Sequence, residues 1–237
     1  MTNAIKVENL FVDYGKYPVL EDVNFKIEQG EMVYIFGANG SGKSTLIKSI
    51  LGINSPSKGS IEIFGKKNTP NNVSKYCGYV PQYSSIDRSF PISVREIIDL
   101  ECSVGNTMCS QSPQSHLSVF GAEHLLDKKL DALSGGEFQK VMIARALTSD
   151  PEILIMDEPI NNLDDGSQKE LIKFIEELNE KFKKTILIIS HDFNIIRHDS
   201  NNKILYVSQG HVREESEKTL LHNDDLNTQH VHTHEHY

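Results

Sequence analysis

GANGSGKS, residues 37–44, follows the apolar run MVYIF (residues 32–36) and precedes TLIKSIL (residues 45–51). The eight residues fit G-x-x-x-x-G-K-[ST], and an apolar strand before them and a helix after them are the flanks of a phosphate-binding loop. Phosphates need many donors in a small volume. Gly37, Gly40 and Gly42 let the backbone curl so that successive N–H groups, those of Asn39 and Ser41 included, point inward at the positive end of the next helix. Lys43 is expected to reach the β- and γ-phosphates of a nucleoside triphosphate, and the Ser44 hydroxyl to ligate Mg²⁺. Thr45 is a further candidate for phosphate contact.

Outward from this loop, the first third of the chain reads as short strands at residues 5–12, 23–27, 32–36 and 60–64, punctuated by Gly30, Gly37, Gly59 and Gly65. Residues 45–51 suit a helix. Beyond Gln82 the character becomes helical. SVREIIDL (residues 93–100) reads as an amphipathic helix with Ser93 and Glu96 at capping-box spacing. Residues 103–115 are rich in Ser, Gln and Asn and read as loop, with helical patterns at 116–126 and 137–147. Residues 153–156 and 185–190 are continuous apolar runs, as expected of parallel strands covered on both faces. A helix over 167–182 and a strand over 204–207 follow, and the chain turns polar from His222. This order predicts a mostly parallel α/β core, residues 1–222, with a helical insertion at about 86–148, and a polar His-rich tail at 223–237.

ILIMDEP (residues 153–159) ends a buried strand in two acids, which delivers carboxylates to the edge of the sheet where α/β proteins bind ligands. Asp157 is expected to hold the Mg²⁺ shell through water, and Glu158 to polarise the attacking water.

Composition narrows the class. The chain has 237 residues, 38% hydrophobic and 24% charged, the mix of a soluble globular protein. No apolar run reaches the roughly 20 residues of a membrane helix, and MTNAIKVENL lacks the layout of a secretory signal. A cytosolic chain is therefore expected. A net charge of -9 argues against a nucleic-acid partner. Cys77, Cys102 and Cys109 form no CxxC pair and read as reduced thiols.

LSGGE (residues 133–137), followed by FQKVMIARAL, places Ser134 91 positions beyond Lys43 and resembles the signature of ATP-binding cassette (ABC) proteins. Gln82 in GYVPQ matches the Q-loop glutamine of that family, NNLD (residues 161–164) its D-loop, and His191 after TILIIS its switch histidine. Tyr14, 29 residues before Lys43, stands where the family carries an aromatic that stacks on adenine, with Tyr17 as a rival. The resemblance spans residues 5–212. It implies a P-loop NTPase core of ABC type, an N-terminal antiparallel β subdomain and an inserted helical subdomain. It further implies ATP hydrolysis in a head-to-tail dimer, each ATP held by Lys43 of one copy and by Ser134, Gly135 and Gly136 of the other. Gln82 would touch metal and water, His191 the γ-phosphate, and Asp164 the dimer face. Lys43, Gln82, Glu158 and His191 are thus the expected catalytic set. Glu137 and Arg145 read as structural ion-pair members. Ile160, where the family often has Thr, Phe or Leu, bears only on local packing.

The cargo rests on two further stretches. YVPQYSSIDRSFPISVREII (residues 79–98) resembles the matching segment of bacterial zinc- and manganese-uptake cassettes, where D-x-x-F-P-[IL]-[ST]-V often follows the Q-loop and faces the membrane partner. His230, His232, His234 and His236 alternate, so an extended tail would set their imidazoles on one face for Zn²⁺, Ni²⁺ or Cu²⁺, unless it is a solvated end or a cloning remnant. The expectation is the ATPase subunit of a divalent-metal importer, peripheral on the cytoplasmic face of the inner membrane, with a separate permease and, indirectly, a solute-binding protein. The alternatives are a cassette for an iron chelate, a lipoprotein or a cell-division complex, a non-transport cassette acting on ribosomes or DNA, and a nucleotide-binding scaffold that does not hydrolyse.

Overall fold

The computed structural model describes residues 2–82, 88–104, 113–118, 120–161, 163–191 and 202–215. The chain runs β1 (Asn3–Tyr14), β2 (Tyr17–Glu28), β3 (Met32–Phe36), α1 (Lys43–Ile50), β4 (Lys58–Ile63), β5 (Lys66–Lys67), α2 (Pro70–Tyr76) and β6 (Cys77–Val80). It continues through α3 (Val94–Val104), α4 (Pro113–Ser118), α5 (Gly135–Leu147), β7 (Ile153–Asp157), α6 (Asp165–Phe182), β8 (Thr185–Ile189), β9 (Lys203–Ser208) and β10 (His211–Glu215). No helix among the described residues is long and apolar enough to cross a membrane.

Two sheets carry the fold. The N-terminal one is antiparallel, in the order β2-β1-β4-β5. Its long strands alternate over much of their length as a half-buried sheet should, but the phase slips midway along each: Val7 and Leu10 are buried in β1, Leu20 and Val23 in β2. The slips fall at Asn9 and Asp22, both at positive φ, where bulges take up one residue. Asn24 accepts the Asn9 backbone N–H at 2.8 Å, and Asp22 accepts the Asn9 side-chain amide at 3.1 Å.

The second sheet has the order β10-β9-β3-β8-β7-β6, parallel except for the edge hairpin of β9 and β10. β3 and β8 are buried at every residue, and so are the first four of β7. The reason is two cores. Val33, Ile35, Ile155 and Leu187 pack with α1 and the antiparallel sheet. Their alternates Tyr34, Phe36, Met156 and Ile188 pack with Phe138, Val141, Leu171 and Ile175 of α5 and α6. A strand feeding both faces needs apolar residues at both parities.

The helical segment departs from the sequence reading in its middle. Helix was expected over 116–126 and loop over 103–115. Instead α3 runs on to Val104, α4 begins at Pro113, and the chain reverses at Gly121, whose φ of 60° suits glycine, leaving only a 3-10 turn at Glu123–Leu125. The capping box expected at the start of α3 is formed: Ser93 N–H donates to Glu96 at 2.8 Å, and Glu96 N–H to the Ser93 hydroxyl at 3.3 Å. Strands β6 and β10 and helix α2 were not read from the sequence. The His-rich tail, Cys109 and Asn162 lie outside the described residues. Cys77 is buried, which pushes its thiol up to about 12, so it fits the reading of a reduced thiol. Ile160 is buried with the helical-face core.

A second capping box starts α5. The Ser134 hydroxyl accepts from Glu137 N–H at 3.2 Å, Ser134 N–H donates to Glu137 Oε2 at 2.8 Å, and Lys128 Nζ sits 2.9 Å from Glu137 Oε1. The Ser134 backbone bond and then Lys128 push the Glu137 carboxyl down to about 2. A carboxylate whose folded pKa is depressed stabilises the fold above its unfolded value and loses that contribution as pH falls. Arg145 Nε, a buried atom near the end of the same helix, stands 3.4 Å from Glu101 as an ion pair.

Two predictions arise. Gly78 in β6 lies where an added Cβ would meet the Ala146 carbonyl oxygen at 2.4 Å and Pro151 at 2.9 Å. Gly78→Val is expected to cost about 2 kcal/mol of stability and roughly 4–8 °C in thermal melting; an unchanged melting temperature contradicts this packing. Glu137→Gln keeps the cap geometry but not the charge. Its deficit in urea unfolding against the wild type should be full near neutrality and shrink as pH falls from about 4.5 toward 2. A deficit independent of pH would refute the assigned charge.

Candidate nucleotide site

The loop after β3 is shaped by close backbone approach. A Cβ on Gly37 would lie 2.2 Å from the Val207 carbonyl oxygen, and one on Gly42, at φ 114°, would lie 2.9 Å from the Leu20 side chain. Only glycine lets the loop press against β9 and β2 at these two points. Gly42 is also the N-cap of α1. It supplies no side-chain cap, and the first turn carries no acid. The first N–H groups of α1 therefore keep their positive end for an outside anion.

One cavity joins this loop to the ends of other strands. It is lined by Asn39, Gly40, Gly42, Lys43, Ser44 and Thr45 on one side and by Gln82, Asp157 and Glu158 on the other, with Val19 at its wall. Lys43 is buried and folds back over the loop, donating to the carbonyls of Gly37 at 2.6 Å and Ala38 at 3.1 Å. Burial lowers its pKa, against the pull of Glu158 and Asp157. The Ser41 hydroxyl is buried and has no partner.

Asp157 ends β7, and burial first and the Glu158 charge next raise its carboxyl, opposed by Lys43, Lys48 and a hydrogen bond from Tyr79. The Tyr79 phenol is in turn pushed up to about 12, chiefly by burial. Glu158 adopts φ 52° while its N–H donates to the Ile189 carbonyl at 2.9 Å. A left-handed residue that is not glycine costs on the order of 1–3 kcal/mol and persists only where its surroundings hold it. The result is a buried carboxylate with Oε1 2.7 Å from His191 Nδ1 and Oε2 without a partner. His191 follows β8 and is half-exposed.

These orphaned oxygens are an observation about ligand chemistry. Buried polar atoms left unpaired are costly. Ser44, Gln82 and Asp157 supply only oxygen donors beside them, the set that suits a hard cation such as Mg²⁺. The residues present fit a metal–triphosphate.

The other expected residues stand elsewhere in the protomer. Ser134, Gly135 and Gly136 form the start of α5 and do not line this cavity. Asp164 caps α6, accepting from Ser167 N–H at 3.0 Å and its hydroxyl at 2.7 Å, which holds its carboxyl below the usual range. Tyr14 is 51% exposed, which disposes of a core role, and its hydroxyl accepts from Asn54 at 2.8 Å. It does not line the cavity; nor does its rival Tyr17, 78% exposed on the facing strand. Val19 does, and was missed: in YPVL it reads as an ordinary strand residue.

The ABC transporter family profile matches residues 20–161. The zinc import ATP-binding protein ZnuC of Wigglesworthia glossinidia brevipalpis is 38% identical over 83% of this chain and 79% of its own. That of Paracoccus denitrificans is 36% identical over 90% and 78%. Among solved structures, the dimeric post-hydrolysis state of the ATP-binding cassette MJ0796 bound to ADP and Pi superposes with a TM-score of 0.76 at 28% identity, covering 90% of this chain and 98% of that one. The cassette cbiO1 from Clostridium perfringens gives 0.80 at 27%, covering 97% and 94%. The chain belongs to the ABC transporter family, as an ATPase of the ATP-binding cassette type.

Proposed function

We propose that the chain is the ATP-hydrolysing subunit of an importer that carries a divalent metal ion, zinc in the first place, through a separate permease. The observation that carries the hydrolytic part is Glu158: a buried carboxylate on the wall of the cavity of Lys43 and Ser44, held by His191 on one oxygen and unpaired on the other. Such a group accepts a proton from water as its oxygen attacks the γ-phosphorus and the bond to the β–γ bridging oxygen breaks, giving ADP and phosphate. His191 orients Glu158 and faces the γ-phosphate. Lys43 exchanges its two carbonyl acceptors for phosphate oxygens, while the N–H groups of Gly37, Asn39, Gly40, Gly42 and Thr45, and that of Ser41 once it leaves the Ala38 carbonyl, surround the chain of phosphates. Ser44, Gln82 and Asp157 would hold the Mg²⁺, which would offset phosphate charge. Tyr14 offers its exposed ring to adenine.

That the Ser134–Gly136 helix start does not line this cavity supports a head-to-tail dimer, in which each cavity is closed by the partner's signature and Asp164 lies at the shared face. The zinc cargo is supported by the names of the relatives and by the D-x-x-F-P-I-S-V segment at 87–94. In this reading the subunit sits against the cytoplasmic face of a membrane, bound to the permease and served indirectly by a solute-binding protein.

Glu158→Gln removes the proton acceptor and leaves the binding contacts, so with Mg-ATP it is expected to elute as a dimer in size-exclusion chromatography. Elution as a monomer at all protein concentrations overturns the sandwich. In vesicles containing the subunit and its permease, ATP hydrolysis is expected to rise at least several-fold with the zinc-loaded binding protein. Stimulation by a different cargo alone refutes the metal assignment.

A further inference from the structure

We propose that Arg88 is a positioning residue for hydrolysis, setting the aim of the signature helix that closes the partner's nucleotide site; this rests on the dimer reading above. The stretch that starts α3 is zipped to the stretch that leads into the signature. Val94 N–H donates to the Lys128 carbonyl at 3.0 Å, Arg95 N–H to Leu126 at 2.9 Å, and Leu130 N–H to Ile92 at 3.1 Å. Arg95 pairs with Asp127 at 3.0 Å on the outside. Arg88 extends this ladder to its functional end. Its Nε and Nη2 donate to the Leu130 carbonyl at 3.2 and 3.0 Å, Nη2 also reaches the Leu133 carbonyl, and the guanidinium stacks 4.9 Å from the Phe138 ring centroid.

The Leu133 carbonyl belongs to the peptide unit whose N–H is that of Ser134. That N–H donates to Glu137 Oε2 at 2.8 Å. The unit is therefore clamped from both sides, by Arg88 on its oxygen and by Glu137 on its nitrogen, and its plane fixes where the Ser134 hydroxyl and the first N–H groups of α5 point. A planar fork spans two carbonyls three residues apart with its carbon over an aromatic ring; a lysine ammonium does not. These contacts lie at the signature end of the protomer, so through them Arg88 acts on the partner's site.

The test compares Arg88→Lys, Arg88→Ala and Ser134→Ala in the full chain. Binding of a fluorescent ATP analogue to the single protomer is expected to stay within two-fold of wild type in Arg88→Lys. Its ATPase rate at saturating Mg-ATP should fall at least ten-fold, and in a Glu158→Gln background the protein concentration for half-dimerisation should rise at least ten-fold. Combined with Ser134→Ala, Arg88→Lys should add little further loss, because both act on one helix start. Wild-type hydrolysis and dimerisation by Arg88→Lys beside an impaired Ser134→Ala overturns the role of Arg88 alone. So does a loss that tracks nucleotide affinity and melting temperature, which marks a merely structural staple. A Ser134→Ala protein that dimerises and hydrolyses normally overturns instead the sandwich on which the inference rests. If Arg88→Ala fails to fold, Arg88→Lys decides.

Discussion

β3 pairs in parallel with β8 and β9, and β7 joins β8 to β6 in the same sense, so β3, β6, β7 and β8 all end at one edge. Past those four ends come the phosphate loop, Gln82, Asp157 with Glu158, and His191. The site depends on this register. A one-residue slip of β7 against β8 would carry Asp157 from its place opposite Ile189 and turn its side chain to the other face. What fixes the register is burial on both sides, since each parity of residue on these strands enters one of the two cores.

On that frame the charges of the site are poorly matched within the protomer. Burial lowers Lys43 and raises Asp157, so each resists its own charge despite the attraction of the other. Glu158 keeps an oxygen buried without a partner. This is the pattern of a site shaped for a highly charged ligand: groups desolvated in advance and held by strand ends and a strained backbone, at a cost the two cores sustain.

The sequence displayed what is written in residue type and hid what is written in space. Glycines, lysine and serine at fixed intervals announce the phosphate loop, because the chemistry and the backbone curl demand those residues. Continuous apolar runs announce β3, β7 and β8. β6 escaped because Gly78 interrupts its apolar run, and the reason for that glycine is the Ala146 carbonyl, distant in sequence. α2 escaped because its seven residues bury no side chain, leaving a Thr69 cap and Pro70 as its only marks. The helix expected at 116–126 failed at Gly121, whose apolar neighbours Leu117, Ala122 and Leu125 fill one core without one helix. Tyr14 shows the same limit: an aromatic at the family's position can be read, but not the Asn54 bond that occupies its hydroxyl.

The two helix starts of the proposed sandwich solve the same problem oppositely. α1 begins with a glycine and no side-chain cap, so its whole first turn is left to phosphate. α5 begins with a closed capping box, which at first sight spends the donors a γ-phosphate needs. It spends the wrong ones for that objection. The box uses the N–H of Ser134 and of Glu137. In an α-helix the N–H groups of the first two residues, here Gly135 and Gly136, have no intrahelical acceptor. The Ser134 hydroxyl accepts from Glu137, which leaves its own proton to donate. The cap thus fixes the helix start with three donors it does not use, and glycine at both positions lets an anion come close to the backbone. A rigid, pre-aimed trio is what a closing partner can offer without ordering anything at the moment of contact.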